Sequence, residues 1–499
     1  MKATKWTHGA HTSSWFDAAN WSKGVPVAGE AVQFLGSRAV AVSLAGAQGA
    51  QSGAMTVLGD AVTFSGGTLT TTTQQPSMGY KNDLAVGRGG AVTVAAGATL
   101  VSSDALLLGS SVSGAFTSGA LNVYGTLDAS IISVAQGTAL VSGSGAHVGL
   151  SKGLFVEVGF GTLTLANGGT LDAGPDTLKV FYSDMRVGSG SGNGTVAVTG
   201  SGSNLTIGIV YLGYGYNGYL NVTGGGVADV GVIYAGTYGD GTITVSGAGS
   251  QLNSVNGVII GDVNVLPVGS ALEITQGGSV SAGYYGLDLH YGRLALDSTA
   301  SLSGTIVSQV GRIEALAMGS GASVVTLGND IVLQSNNGAQ GQYDHVTSVY
   351  ADVGATLDLT GVISGASDAV LSSGSGHVIL ANGVNSFSAA SLYSGTLEIA
   401  ASGAAGVGVL SFTGTAGHLQ IDAGVTFGNT IAGFAHQDTI DVRGFGFGAG
   451  VTDSYANGTL VLTSSAGSDT LSVSGSFTAG SFAFADDHHG GVVVSLVHG

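Results

Sequence analysis

The sequence predicts an all-β chain wound as a right-handed parallel β-helix, a β-solenoid of roughly 15–20 rungs. Three observations lead there. The stretch "NGTVAVTGSGSNLTIGIVYLGYGYNGYLNVTGGGVADVGVIYAGTYGDGTITVSG" (193–247) repeats one phrase: "GTVAVTG" returns as "GYLNVTG" and "GTITVSG", 24 and then 23 residues on. Apolar and polar residues alternate within each phrase, the period of a half-buried strand. Of 499 residues 89 are Gly, 4 are Pro and 8 % are charged, while 44 % are hydrophobic. A disordered chain would be poor in aliphatics, so this composition describes strands joined by tight corners.

Each repeat shows three strand signals. In the first they are "TVAVT", "SNLTI" and "VYLG", and in the third "TITVS", "SQLNS" and "VIIGD". Alternation places Val196 and Val198 on one face, followed by Leu220 and Val222, Ile243 and Val245, and Leu272 and Ile274. Ala197, Asn221, Thr244 and Glu273 point the other way. One repeat cannot bury its apolar face alone, and stacked neighbours complete the core. Gly213, Gly236 and Gly261 close the third strand, where a corner calls for positive φ. At about 23 residues per coil and ~4.8 Å per rung the result is a rod about 70–100 Å long.

Segment 1–45 is expected to be an N-terminal cap, 46–425 the solenoid, and 426–499 a C-terminal β-rich segment. All three Trp (Trp6, Trp15 and Trp21) fall within 16 residues, suited to covering the first coil, whose apolar core and strand edges need a lid. His8 and His11 in "HGAH" lack a nearby carboxylate and make a poor metal set.

Charge narrows function. The net charge is −18, and after Arg312 the only Lys or Arg is Arg443, against 14 Asp or Glu. Nucleic acid and anionic lipid need clustered cations, so neither is an expected partner. No apolar run of 18 residues suggests a transmembrane helix, and the absence of Cys excludes disulfides and thiol chemistry. The opening "MKATKWTHGAHTSSWF" has no apolar h-region, so no cleavable secretory signal is expected.

Two stretches resemble known families. "SSWFDAANWSKGVPVAGEAVQF" resembles the opening of bacterial autotransporter-type passengers, and "GHVILANGVNSFSAASLYSGTLEIAASGAAGVGVLSFTGTAGHLQI" (376–421) resembles the autotransporter-associated β-strand repeat. Asn385, Gly395, Thr396, Leu397 and Ile399 occupy matching places. The end departs from that family: "DTIDVRGF" followed by "LSVSGSFTAGSFAFADDHHGGVVV" is too short and Gly-rich for a membrane barrel. It is similar to the C-terminal region of type I secretion substrates, which carry an uncleaved C-terminal signal. The resemblance implies a secreted, extracellular or cell-surface bacterial protein.

Three chemistries bear on these residues. No cofactor is required, and calcium is the one ion the acidic end suggests, with Asp438, Asp441, Asp469, Asp486 and Asp487 as oxygen donors. His488 and His489 read as an exposed turn. Polysaccharide cleavage needs paired carboxylates at rung spacing; Asp358 and Asp368 stand isolated, and no G-x-S-x-G or H-E-x-x-H is present. Tyr211, Tyr214, Tyr216, Tyr219, Tyr234 and Tyr238 could stack on sugar rings, cover the flank or touch another copy. The expected function is a non-enzymatic structural protein of a surface layer, biofilm matrix or filament, associating with copies of itself through solenoid ends or flanks. A glycan-binding adhesin, partnered by surface or matrix polysaccharide, is the alternative. A polysaccharide-acting β-helix enzyme is the second alternative.

Overall fold

The structure, a computed structural model, describes residues 3–46, 49–72, 82–109, 117–173, 183–190, 192–261, 269–317, 322–334, 346–365, 370–447, 450–465, 467–478 and 480–497. It is all-β: among these residues the one helical element is a 3-10 turn at Ala18–Asn20, and no helix is long and apolar enough to cross a membrane. The chain divides into two compact units, Met1–Ala271 with Gly277–Tyr284, and Leu272–Gln276 with Tyr285–Gly499.

Among the described residues of the first unit the strands pair in parallel ladders, and three ladders recur. One carries Val32, Met55, Leu84, Leu106, Ile132, Val156, Met185, Val210, Ile233 and Val258 as successive cross-strand partners, with register slips beside it at Ala105/Leu106, Ala129/Ile131 and Val230/Val232. A second runs from Val42 through Phe64, Val94, Val123, Val141 and Leu165 to Val198, Val222 and Val245. A third joins Leu69, Leu100, Leu127, Val148, Leu171, Leu205, Ala228, Leu252 and Val280. Every one of these side chains is buried. Full burial of a Val, Leu or Ile stabilises by about 1.5–3 kcal/mol, and each column obtains it only through the strands on either side.

The expected equivalence of Val196, Leu220 and Ile243 holds as direct cross-strand pairing, with the residues between them half-buried. The three strand signals per repeat resolve differently. The second and third merge into one strand, Asn204–Leu212, and again into Val227–Ala235 and Gln251–Ile260. Each changes face through a slip in the alternation: Ile209 and Val210 are buried in succession, as are Val232 and Ile233. A glycine (Gly208, Gly231, Gly257) accompanies each slip, so no separate loop is needed. Gly213 ends one merged strand at φ 76°, and a Cβ there would lie 2.2 Å from the carbonyl oxygen of Gly239 in the next repeat. Only glycine fits that corner.

Buried serines join successive repeats at the other corner. Ser203 Oγ donates to Thr199 O at 2.8 Å and accepts from Gly168 N at 3.1 Å; Ser250 does the same with Ser246 O and Gly225 N. The N-terminal residues pack as an aromatic train. Trp21 lies 4.8 Å from Trp6 and 4.7 Å from Trp15, Trp21 and Trp6 both reach Phe34, and Phe34 meets Phe64. The indole of Trp21 donates to Trp15 O at 2.8 Å.

The second unit also holds parallel ladders. Its eight-stranded sheet aligns Leu327, Leu359, Leu380, Ile399, Ile421 and Val442. A second ladder aligns Leu287, Ile306, Ile331 and Ile363, and a third runs through Leu294, Ile313 and Val349 to Leu392 and Phe412. Among the described residues no further strand pairs with the one through Ile363, and the Asn385 side chain takes over: Oδ1 accepts the Ile363 N–H and Nδ2 donates to Ala404 O, both at 2.8 Å. Asn329 and Asn429 likewise donate to two backbone carbonyls each.

Pairing turns antiparallel near the end. Thr452–Ala456, Thr459–Ser464 and Gly467–Val473 form a meander whose last strand lies parallel on Thr430–Ala432. The hairpin Phe482–Asp486 with Val492–Leu496 lies antiparallel on Thr439–Val442. One ladder thus passes by a parallel pairing into an antiparallel meander, and the eight-stranded sheet ends on an antiparallel hairpin.

Candidate functional site

Two outward-facing groups of side chains carry the chemistry of the described surface. The first lies on the unit built from Met1–Ala271 and Gly277–Tyr284. Outward positions of one ladder place Glu157, Arg186, Tyr211 and Tyr234 in successive strands. Tyr211 and Tyr234 stack with centroids 5.3 Å apart and planes 13° off parallel. Tyr214 meets the edges of Tyr211 at 5.8 Å and Tyr238 at 5.5 Å, and the Arg186 guanidinium lies 4.7 Å over its face. Burial pushes the Tyr211 hydroxyl and the Asp184 carboxyl up; Asp184 raises Tyr211 further, whereas Arg186, 3.7 Å from Asp184, pulls both back.

Of the six tyrosines singled out by sequence, Tyr211, Tyr214, Tyr234 and Tyr238 thus form one aromatic chain. Tyr216 stands 47 % exposed outside it, and Tyr219 lies on a different ladder between Thr195 and Thr242. Register explains the Tyr211–Tyr234 stack: rings at one outward position of in-register strands are about 4.8 Å apart, whereas Tyr214 and Tyr238 join it from the corners that follow. Stacking in turn covers ring faces. Tyr238, 60 % exposed, and Tyr216 keep the most surface for a sugar or a second copy.

The second group lies on the eight-stranded sheet of the other unit. Asp358, Ile379, Glu398, Gln420 and Asp441 share one outward column, and Thr356, His377, Thr396, His418 and Thr439 its neighbour. His377 Nε2 and Glu398 Oε2 are 2.8 Å apart, Gln420 donates to Asp422 at 3.0 Å, and Arg443 Nε donates to Asp441 at 3.3 Å. The His377 hydrogen bond holds Glu398 below the usual carboxylate range. Burial pushes Asp358, Asp422 and Asp441 up and His418 down, and Glu398 adds to the rise of Asp358 and Asp422. Asp358 and Glu398 are two ladder steps apart, about 10 Å along the sheet.

Sequence reading saw Asp358 alone, because its neighbours are 19 to 83 residues away in the chain; a 19–22-residue spacing of His and acidic residues after Asp358 was the available signal. Asp368 lies outside the described residues. A surface depression of about 320 Å³ in the same unit, lined by Leu296, Ser301, Val325, Thr326, Leu327 and Asn329 among others, holds no titratable side chain.

The five acidic residues considered for calcium separate. Asp438 is buried, with its two oxygens accepting Gly417 N–H and Ala435 N–H, both at 2.9 Å, which makes it a backbone staple. Asp469 caps Thr470 N–H, and Asp486 and Asp487 cap the turn holding His488 and His489. Burial pushes Asp441 up, and the Asp487 charge adds to that rise. Among the described residues no cluster of three His, Asp or Glu has metal-holding geometry. His8 and His11 are ring neighbours, 5.9 Å apart.

The chain matches no protein-family model and no curated protein.

Proposed function

We propose that the chain is a right-handed parallel β-helix serving as an extracellular structural protein of a bacterial surface layer, matrix or filament. The carrying observation is the continuity of three buried columns of cross-strand partners, Val32 to Val258, Val42 to Val245 and Leu69 to Val280. Three parallel ladders visited in turn by one chain support coils around a common core. Right-handed strand twist makes parallel crossovers right-handed in nearly every known case, which supports the hand. Such a coil is stiff and spends its apolar residues on stacking.

Export by a type I route is supported by resemblance of the C-terminal segment to type I secretion substrates. Self-association is the mode of action. The eight-stranded sheet ends on an antiparallel hairpin, and contact between copies is proposed to run through side chains of the end segments or flanks. Negative-stain electron microscopy over a range of concentrations tests this reading. Fibres or sheets are expected, and monomeric rods at every concentration would contradict it.

The exposed Tyr238 and Tyr216 favour a second reading, a glycan-binding adhesin. Saturable binding to a polysaccharide array, lost in Tyr238→Ala, would support it; an array without binding would remove it.

A further inference from the structure

The two ends of the sequence differ in charge, and the structure sharpens the difference. The first hundred residues hold six Lys or Arg against four Asp or Glu, whereas residues 426–499 hold six Asp against one Arg. Lys5, Lys23, Arg38 and Arg88 are all exposed. Two of the four acids near them are withdrawn from solvent. Asp60 is buried and accepts Arg38 N–H at 3.0 Å, and Asp83 is buried and accepts from Ser103 Oγ and Asp104 N at 2.8 Å. What the N-terminal segment shows to water is mainly positive. The C-terminal segment is the reverse: Asp486 is exposed, Asp453, Asp469 and Asp487 are half-exposed, and Arg443 is tied to Asp441.

Each segment also shows large apolar side chains to solvent: Val27 and Leu35 at one end, Phe447 and Val497 at the other. Exposed apolar side chains together with complementary charge are what a contact between two copies can use. We infer that the cationic N-terminal segment of one copy docks on the anionic C-terminal segment of a second copy. This contact is heterologous, so it propagates into an open polymer where its rotation does not close. Net charge opposes association only weakly. At physiological salt the Debye length is about 8 Å, so facing charges at the contact count and distant ones are screened. The inference rests on the self-associating scaffold proposed above and adds which surfaces meet.

Charge reversal with complementation separates the two ideas. Sedimentation velocity of the full chain in moderate salt would compare the wild type, Lys5→Glu/Lys23→Glu/Arg38→Glu and Asp469→Lys/Asp486→Lys, each checked for an unchanged circular dichroism spectrum and unfolding temperature. Lys23→Glu alone serves as a milder variant should the triple one not fold. The wild type polymerises, either charge-reversed variant alone associates at least about tenfold more weakly, and an equimolar mixture of the two regains polymers. A monomeric wild type would overturn the scaffold reading itself. A polymerising wild type with unaffected variants, or with a mixture that stays monomeric, would overturn the end-to-end contact and leave the scaffold reading standing.

Discussion

Asn385 stands in for a missing strand beside Ile363, its Oδ1 accepting the Ile363 N–H at 2.8 Å while its Nδ2 donates to Ala404 O. The side chain is buried, so water cannot replace either bond. Asn385→Ala leaves a buried donor and a buried acceptor unsatisfied, each worth about 1–3 kcal/mol. The expected loss is roughly 2–4 kcal/mol by denaturant unfolding, with amide exchange accelerated at Ile363. An unchanged exchange rate would remove Asn385 from this role.

The column containing Val222 gives the strongest contrast between adjacent residues. Val222 is fully buried between Val198 and Val245, whereas Asn221 faces outward. Val222→Asp puts an unpaired charge in an apolar stack and should cost upwards of about 4 kcal/mol, enough to prevent folding of that region. Asn221→Asp should stay within about 0.5 kcal/mol of the wild type. Expression and thermal unfolding of the pair provide the measurement.

Scarce cations are concentrated at one place in the Tyr285–Gly499 unit. Arg293 Nη1 reaches Glu273 at 2.7 Å and its Nε bonds Glu314, which also binds Arg312 at 2.8 Å; Arg312 lies 4.3 Å over the ring of Tyr350. Glu314 is nearly buried, but Arg293 is one-third exposed. Arg293→Met should therefore cost about 2 kcal/mol, less than a fully buried pair would. Adding Glu314→Gln should recover part of it, because no buried charge is then left unpaired. Stability of the single and double variants checks the coupling.

The outward carboxylates set a pH dependence. Asp358, Asp422 and Asp441 have folded pKa values above their ordinary ones. Their contribution to stability is complete below the ordinary carboxylate pKa and disappears as pH rises through the folded values. Glu398 and Asp487 are lowered and act oppositely, losing stability as pH falls through their folded values. Asp441→Asn mimics the protonated form, so it should raise the unfolding temperature at pH 7 and flatten its change between pH 7 and mildly acidic conditions. An unfolding temperature lowered equally at all pH values would contradict this account.

Aromatic packing and binding separate by site. Tyr211, stacked on Tyr234, should cost about 2–3 kcal/mol when cut to Ala, and the exposed Tyr238 under about 0.5 kcal/mol. Thermal melts of the two variants decide it.

The sequence made the ladders legible because register is a local property repeated: Val196, Leu220 and Ile243 occupy one slot of a phrase, and strand alternation fixes which side they face. The corners at Gly213, Gly236 and Gly261 were legible too, and all three have positive φ. The face change inside Asn204–Leu212 was not, since two adjacent apolar residues such as Ile209 and Val210 do not say which one turns inward. Nor was the row of Asp358, His377, Glu398 and Asp441. Side chains at one outward position of successive strands meet in space while remaining about twenty residues apart in sequence, and uneven repeat lengths hide the alignment. The tyrosines were visible as a cluster, but their stacking and the place of Arg186 over Tyr214 follow only from register.

A chain without cysteine permits a direct test of that register by paired cysteines. Ala197 and Asn221 are outward neighbours in adjacent parallel strands, and a strand spacing of about 4.8 Å lies within disulfide reach. Mild oxidation of Ala197→Cys/Asn221→Cys should give an intramolecular disulfide in nearly every molecule, read by mass spectrometry, while Ala197→Cys/Val222→Cys, one residue out of step and on opposite faces, should remain reduced. Equal cross-linking of both pairs, or of neither, would contradict the stacked in-register coil.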